Sequence, residues 1–290
     1  MVKKNTISSY IPDIIIATVL IFLAIIMIYP MLYELFISFS EPDRLVKARG
    51  ILLHPLGFDL SAYKETFSNK DIINGYKNTL YVMFYGLIIN ITLTAMGAYF
   101  LTRKNVFWKK PVMIMILITM YFQGGLVPLW LTIKGIGLYD NRWSLILPCA
   151  ISTYNMILLK SYFQSIPDSL VESVMIDGGG HFTVLFKVFI PLSKPALMVM
   201  LLYYGIGHWN SWFSANMYLR NHDLYPLQLV LRNILVEGTT QLGGSTENYQ
   251  EFQTTLKAAM VIVSTVPFLL IYPFCQKYFA GGLMIGSLKE

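Results

Sequence analysis

Charged side chains are scarce in this sequence, and cysteines are almost absent. Asp, Glu, Lys and Arg make up 13% of the 290 residues, whereas hydrophobic residues make up 55%. This balance is typical of an integral membrane protein and argues against a soluble domain of this length. The two cysteines, Cys149 and Cys275, both fall within apolar stretches, so the sequence predicts neither a disulfide nor a cysteine-bound metal.

Charge is missing altogether from the predicted membrane spans. They contain no Asp, Glu, Lys or Arg, and His208 is the only titratable side chain of that kind within them. A proton-coupled carrier usually keeps a carboxylate at membrane depth, so this absence favours an energy source outside the membrane. A sodium-coupled carrier that uses carbonyl and hydroxyl oxygens stays open as an alternative.

The sequence lacks the residue patterns that several other functions require. No Gly-rich, Lys-containing phosphate loop is present, so this chain is not predicted to hydrolyse ATP, and no catalytic constellation predicts a membrane enzyme. His208 has no second His, Cys or carboxylate at ligand spacing, so no metal site is predicted. The net charge is +6, but the basic residues form no stripe with stacking aromatics, which argues against nucleic-acid binding.

The apolar stretches predict an all-α membrane protein with one transmembrane domain over residues 1–290. Lys and Arg counted over all segments do not decide its orientation. The short connection after the second span does, because Arg103, Lys104, Lys109 and Lys110 place it in the cytoplasm, and six spans then place both termini there. The predicted spans lie at about 14–33, 79–101, 111–133, 143–159, 195–219 and 258–274.

A polar segment between the fourth and fifth spans combines helix and turn signals. Ser169 followed by Glu172 fits a capping box at the start of a short helix. Three glycines, 178–180, allow the chain to turn and are expected to loosen that turn, and a second helix is predicted from about 181 to 190. One apolar stripe follows the first helix and consists of Leu170, Val171, Val174 and Met175.

The run ESVMIDGGGHFTVLFKVFIPLSKP, residues 172–195, resembles the EAA loop of ABC importer permeases, which docks on a cytoplasmic ATPase. The chain departs from the family at Ser173, Val174 and Gly179, where Ala is usual or common. The resemblance implies that the loop 167–195 couples transport to ATP hydrolysis, and an ordinary cytoplasmic loop is the alternative. The implied coupling residues are Ser169, Glu172, Val174, Met175, Asp177 and Gly178.

The resemblance extends over nearly the whole chain. The later runs GHWNSWFSA and LYPLQLVLRNIL and the tail FAGGLMIGSLK are similar to the maltose-permease type of carbohydrate importer. This implies a type I ABC importer permease fold with a cytoplasmic coupling helix, in a bacterial cytoplasmic membrane. It also implies a second, non-identical permease subunit, an ATPase homodimer that binds ATP and Mg, and an extracytoplasmic solute-binding protein. No cofactor is expected in this chain itself.

The fifth span is unusually dense in polar and aromatic residues for a helix that faces lipid. Its spacing places Tyr204, His208 and Ser211 on one face, with Trp209 and Trp212 on an adjoining face. Aromatic faces bordered by hydroxyl and imidazole groups suit a sugar, so these five residues are predicted to line the solute path. An interfacial aromatic belt with polar groups that bond neighbouring helices is the alternative.

Three further features lie in the second span, in the third span and in the outer loop. Asn90 and Thr94 in the second span are predicted to form hydrogen bonds between helices. Residues 123–125, followed by Pro128, interrupt the third span and predict either a bent outer gate or close helix packing. The outer loop 220–253 is long and polar, and long loops without regular structure are often functional. The resemblance implies that it contacts the solute-binding protein, and a disordered linker is the alternative.

Together these observations predict a permease subunit of an ABC importer that moves a sugar, in particular an oligosaccharide, with energy supplied by partner ATPases. The docking loop is shared with permeases for peptides and amino acids, so another solute is the first alternative. A secondary carrier is the second alternative, and it would require an intramembrane coupling site.

Overall fold

The computed structural model describes residues 7–45, 50–104, 106–237 and 247–282, and within these ranges it contains helices and no strand. Three of the described helices are long and apolar enough to cross a membrane. Up to five spans result if each of two sharply bent helix pairs counts as one. The described chain divides into two compact units.

The first unit contains α1 (Ile7–Phe39), α2 (Pro42–Leu45), α3 (Ser61–Ser68) and the last helix as far as Val266. Helix α1 includes the first predicted span, and its apolar side chains from 14 to 28 are exposed, as expected of a helix that faces lipid. Its other end is buried, because Ile37 packs with Leu52 and Ala258 in a small core.

The second unit is built around α4 (Lys70–Thr102), which includes the second predicted span. Helices α7, α11 and α13 pack against α4. Ala95 and Ala98 are fully buried on α4, and such small side chains let the helix axes approach closely. The other helices are α5 (Lys109–Tyr121), α6 (Leu126–Gly135), α7 (Thr153–Phe163), α8 (Asp168–Ile176), α9 (His181–Val184), α10 (Ile190–Leu192), α11 (Lys194–Trp209), α12 (Trp212–Tyr218), α13 (Leu227–Arg232) and the later part of α14 (Glu247–Gly282).

The third predicted span is not a single helix, in agreement with the interruption predicted at residues 123–125. Helix α5 ends at Tyr121, α6 begins at Leu126, and the two axes differ by 114°. Gly125 between them has a φ of +85°, a backbone conformation that residues with a Cβ rarely adopt. Of the two alternatives for residues 123–125, the structure therefore shows the bend.

The fourth predicted span, 143–159, is wrong as a continuous helix. Short 3₁₀ turns occupy Arg142–Leu145 and Leu147–Cys149, and α7 starts only at Thr153. Ser152 caps α7, because its hydroxyl oxygen accepts a hydrogen bond from the Asn155 amide. Hydropathy detected an apolar stretch here, but apolar composition does not ensure an unbroken helix.

The fifth predicted span, 195–219, is interrupted. Helix α11 ends at Trp209, and α12 begins at Trp212 after a break at Asn210 and Ser211. The helix predicted over about 181–190 runs to Leu192 with a π turn over Leu185–Phe189, and it meets α11 at an angle of 84°.

The outer loop 220–253 contains more regular structure than the sequence predicted. Residues His222–Leu224 form a 3₁₀ turn, and α13 continues into a π turn over Asn233–Glu237. Leu227 and Leu229 of α13 are fully buried, because Gly75 on α4 leaves room for the backbone of α13. Residues 238–246 of this loop, and the tail from 283, lie outside the described residues.

Candidate functional sites

The first candidate site is α8 with the turn that follows it. Helix α8 begins at Asp168, directly after Pro167, and no side chain caps it. The predicted capping box is therefore wrong, since Ser169 lies inside the first turn instead of before it. A carboxylate at the first helical position is favourable beside the free N–H groups, and Asp168 takes that position.

Asp168 also joins α8 to the end of α4. The ammonium group of Lys104 donates a hydrogen bond to the Asp168 carboxylate, with the two charged atoms 2.5 Å apart. This bond lowers the pKa of Asp168 and raises the pKa of Lys104. Both side chains are largely exposed, so water and salt weaken the pair. The contact is a reversible link between α8 and the segment after α4.

The turn after α8 is tightly closed. Gly178 has a φ of +80°, and the Gly179 amide donates to the Val174 carbonyl at 2.8 Å, as in a Schellman helix end. A methyl group on Gly179 would lie 2.6 Å from Cγ1 of Val174. The expectation of a loose turn is therefore wrong. The Val174 side chain fills part of the space that an Ala at 179 would need, and the Val174 carbonyl oxygen, 2.9 Å from the added methyl group, blocks it as well.

The predicted coupling residues divide into a buried and an exposed face. Val174 packs against the core that joins α4, α7 and α8, whereas Glu172, Met175 and Asp177 are exposed. Ile176, which the sequence analysis did not select, is 85% exposed. An exposed apolar and acidic face on a short helix suits docking on another protein.

A second link, between α4 and α9, was missed by the sequence analysis. The Tyr99 hydroxyl forms a hydrogen bond of 3.0 Å with Nδ1 of His181, and the Arg103 guanidinium lies 4.7 Å from the Tyr99 ring centroid and 4.9 Å from that of Phe189. Tyr99, Arg103 and His181 border a cavity of 510 Å³ that Glu172 also lines. In the sequence analysis, Arg103 served only to indicate the orientation of the chain in the membrane.

The second candidate site is a cavity of 730 Å³ at the break between α11 and α12. Of the five residues predicted for the solute path, Tyr204, His208 and Ser211 line it. Trp209 and Trp212 do not. Further lining residues that the sequence analysis had not assigned to the path are Tyr154, Asn155, Tyr203, Asn210, Phe213 and Ser214.

The two tryptophans are held by other contacts within this unit. Trp209 is buried, with its ring 6.4 Å from that of Tyr76 and 5.9 Å from that of Phe268. Trp212 lies under the Arg232 guanidinium, 5.0 Å from its ring centroid. Helical spacing had placed both beside the path, but the neighbouring helices cover one and a cation covers the other.

Neutral hydrogen bonds connect the cavity wall to α4. Asn90 donates from its amide nitrogen to the carbonyls of Cys149 and Ala150, at 2.7 and 3.0 Å, and its amide oxygen lies 2.7 Å from Nε2 of His208. The Tyr204 hydroxyl bonds Thr94 and accepts from the Ser152 amide. The prediction that Asn90 and Thr94 bond neighbouring helices is confirmed.

Comparison with known proteins identifies the chain. No protein-family model matches it. The chain is 36% identical over 280 residues to the polygalacturonan/rhamnogalacturonan transport system permease protein YtcP of Bacillus subtilis (strain 168), across 96% of this chain and 98% of YtcP. This chain belongs to the permease subunits of carbohydrate ABC importers. The permease is also 35% identical to Protein LplC of the same organism, across 91% of this chain and 90% of that protein.

Solved structures agree with this identification. The permease matches a chain of a bacterial ABC transporter involved in the import of the acidic polysaccharide alginate, with a TM-score of 0.87, 30% identity, and 95% and 99% of the two chains covered. The predicted all-α importer permease fold is thus confirmed, as is the prediction of a multi-pass membrane protein. The sugar-importer interpretation is supported over a peptide or amino-acid importer.

Proposed function

We propose that this permease passes an oligosaccharide from the extracytoplasmic side into the cytoplasm, driven by ATP hydrolysis on a partner ATPase homodimer. ATP and Mg bind those partners in this proposal, and a second, non-identical permease subunit completes the route through the membrane. An extracytoplasmic binding protein delivers the sugar. The precedent is an alginate transporter, similar in fold, that was solved with an alginate pentasaccharide-bound periplasmic protein.

One observation carries the coupling part of the proposal: α8 and the next helix, α9, are attached to α4 and to the residues that directly follow α4. Lys104 binds Asp168 at the start of α8, and Tyr99 binds His181 just after the Gly178 turn. Helix α4 in turn packs against α7 and α11, which line the cavity. A displacement of α8 by an ATPase is therefore transmitted along α4 to the cavity wall, and two-state packing of this kind supports alternating access.

The exposed face of α8 is the proposed docking surface for the ATPase. It presents Glu172, Met175, Ile176 and Asp177, while Val174 anchors the helix and Gly178 sets the turn. The connection between the second and third spans contains the basic residues Arg103, Lys104, Lys109 and Lys110. The positive-inside rule assigns this connection to the cytoplasm, and α8 with it, because Lys104 binds Asp168 of α8. Both termini are placed there by the same proposal.

The cavity between the 142–155 segment and α11 with α12 is the proposed part of the solute route. Its rings and neutral hydrogen-bonding groups suit the apolar faces and hydroxyls of a sugar. The outer segment 220–237 and the residues that follow it lie beyond α12 in the chain, and we place the contact with the binding protein there.

The test is a reconstitution in lipid of the permease, coexpressed with the partner permease and ATPase. Addition of a binding protein loaded with an oligosaccharide should raise the ATPase rate several-fold over the empty binding protein, and labelled sugar should enter the vesicles. A binding protein from an unrelated importer serves as the control. If no ATPase copurifies with the chain, the docking surface on α8 is refuted and the carrier alternative reopens.

A further inference from the structure

The orientation of the Asn90 side chain is fixed by three short contacts. Its amide nitrogen has two hydrogens, and both are directed at backbone carbonyls, those of Cys149 and Ala150. The amide oxygen must therefore face His208, 2.7 Å from Nε2. An amide oxygen only accepts, so Nε2 of His208 carries the proton. The protein thus selects one tautomer of a buried imidazole.

The other ring nitrogen of His208 is then the group offered to a ligand. In the neutral Nε2–H tautomer, Nδ1 carries a lone pair, and no described residue forms a hydrogen bond with it. The ring borders the cavity. Ser211 borders it as well, and its buried hydroxyl has no partner among the described residues. The Nδ1 atom of His208 on α11 and the hydroxyl of Ser211, just after α11, are therefore left for an incoming molecule.

The space for this arrangement comes from α4. A methyl group on Gly86 would lie 2.5 Å from Nε2 of His208 and 2.8 Å from Cε1, so a larger residue at 86 would move the ring off Asn90. Gly86 and Asn90 lie four residues apart and hence on one face of the helix. Together they fix the position of the His208 ring: Gly86 leaves room for it, and Asn90 forms a hydrogen bond with it.

The cavity lacks a countercharge for an acidic sugar. The described side chains that line it include no Asp, Glu, Lys or Arg. The nearby cations Arg142 and Arg232 are held over the rings of Tyr81 and Trp212. A carboxylate that entered would lose water without gaining a cation and would meet a lone pair at Nδ1, whereas a hydroxyl can donate to that lone pair.

From this geometry we infer that the cavity is a subsite for an uncharged, hydroxyl-bearing sugar unit, with Asn90 as the residue that sets its hydrogen-bond polarity through His208. The inference rests on the proposed function, because it concerns the sugar that the permease passes. His208 is the contact residue, and Asn90 and Gly86 are positioning residues. Tyr154, Tyr203 and Phe213 supply the apolar faces against which a ring can stack.

The sugar preference is tested with two tetrasaccharides that differ only in charge: tetragalacturonate and its carboxyl-reduced, neutral form. Binding to the assembled transporter without binding protein is measured by equilibrium dialysis. The neutral form should bind at least about tenfold more tightly, a difference of about 1.4 kcal/mol. Equal affinity, tighter binding of tetragalacturonate, or no binding of the neutral form would each overturn the inference.

Two variants assign the preference to the cavity. Ser211→Lys places a cation beside His208 and should shift the preference towards tetragalacturonate. Asn90→Leu removes the group that orients His208 and should weaken the preference, because the cavity still lacks a cation. If Ser211→Lys assembles and keeps the original preference, the sugar binds elsewhere and the assignment fails.

A second measurement does not depend on any sugar or on transport. The ¹⁵N NMR spectrum of the lipid-embedded protein with labelled histidine, compared with that of His208→Gln, identifies the His208 signals. They should show the Nε2–H tautomer, and Asn90→Leu should release that restriction. An Nδ1–H tautomer in the unchanged protein would overturn the role of Asn90. Normal stimulation of the ATPase together with that result would leave the proposed function intact and refute only this inference.

Discussion

The α8 segment and the cavity are both polar regions in an apolar chain, but their polar contacts differ in kind. At α8, an ammonium and a carboxylate meet in contact with water. At the cavity, the Asn90 amide bonds the His208 imidazole and the Thr94 hydroxyl bonds the Tyr204 hydroxyl, and none of these groups carries a formal charge. An exposed ion pair forms and breaks easily, whereas a buried hydrogen-bonding group that loses its partner costs about 1–3 kcal/mol.

This difference matches what the two regions do in the proposed mechanism. The α8 segment has to respond to another protein, so a weak and reversible attachment suits it. The cavity has to present a fixed set of donors and acceptors to each sugar that passes, so a preset neutral network suits it. Substitutions in the two regions should therefore differ in their effects on transport and stability. The largest effect is expected where the backbone itself is constrained.

Gly178→Val should have the largest effect. The backbone at 178 has a φ of +80°, which costs a β-branched residue about 1–3 kcal/mol, so the turn must change and α8 loses its orientation. Sugar-stimulated ATPase activity should fall at least about tenfold while membrane insertion stays normal. Gly180→Ala is the matched control, because Gly180 has a φ of −85° and open space around it. Full transport by Gly178→Val would contradict the coupling role of the turn.

Gly86→Ala should have the next largest effect, and it acts at the cavity. The added methyl group displaces His208 from Asn90, and such overpacking costs about 1–3 kcal/mol. Uptake of labelled oligosaccharide should fall several-fold, with ATPase copurification unchanged. Gly205→Ala on α11 serves as the control, since no atom lies within 4 Å of its added Cβ. An unchanged uptake rate would show that the seating of His208 does not matter for passage.

Gly179→Ala and Val174→Ala should show a coupled effect at the α8 turn. Gly179→Ala alone brings its methyl group against Val174 and should lower the thermal stability of the assembly. Val174→Ala removes the side-chain part of that clash but not the contact with the Val174 carbonyl oxygen, so the double variant should regain part of the lost stability, with an interaction of about 0.5–3 kcal/mol. Strictly additive midpoints in a thermal melt of all four proteins would mean that the two departures are unrelated.

Asp168→Asn should have the smallest effect, because the pair with Lys104 is exposed. The lowered pKa of Asp168 means that its stabilising contribution is complete above the ordinary carboxyl range and is lost as the pH falls through that lowered pKa. The raised pKa of Lys104 means that its contribution is lost only as the pH rises through that higher value. The melting difference between Asp168→Asn and the unchanged protein should therefore be constant around neutral pH and disappear in about 1 M salt. A difference that survives high salt would show that the pair is shielded from water.

The sequence predicted the α8 segment better than the cavity because its signals are local. The apolar stripe, the glycines and the prolines act on neighbours within one or two turns, and they located the helix, the turn and the next helix. The error lay at Ser169: a capping box is a pattern of residue types, and with Pro167 as the N-cap the helix starts two residues earlier than that pattern predicts. The broken third span was also partly predictable, because the Gly-Gly and Pro signals are local as well.

The sequence by itself therefore determined the class of protein, the apolar stretches, and the α8 segment with its turn. Only the tertiary structure decided that His208 faces a cavity, that Trp209 does not, and that Gly86 makes the room. Asn90 and His208 are 118 residues apart, and Thr94 and Tyr204 are 110 residues apart. Helical spacing states which residues share a face, but the partner of that face is set by the packing of distant helices, and that packing gives each polar group its donor, its acceptor or its ligand.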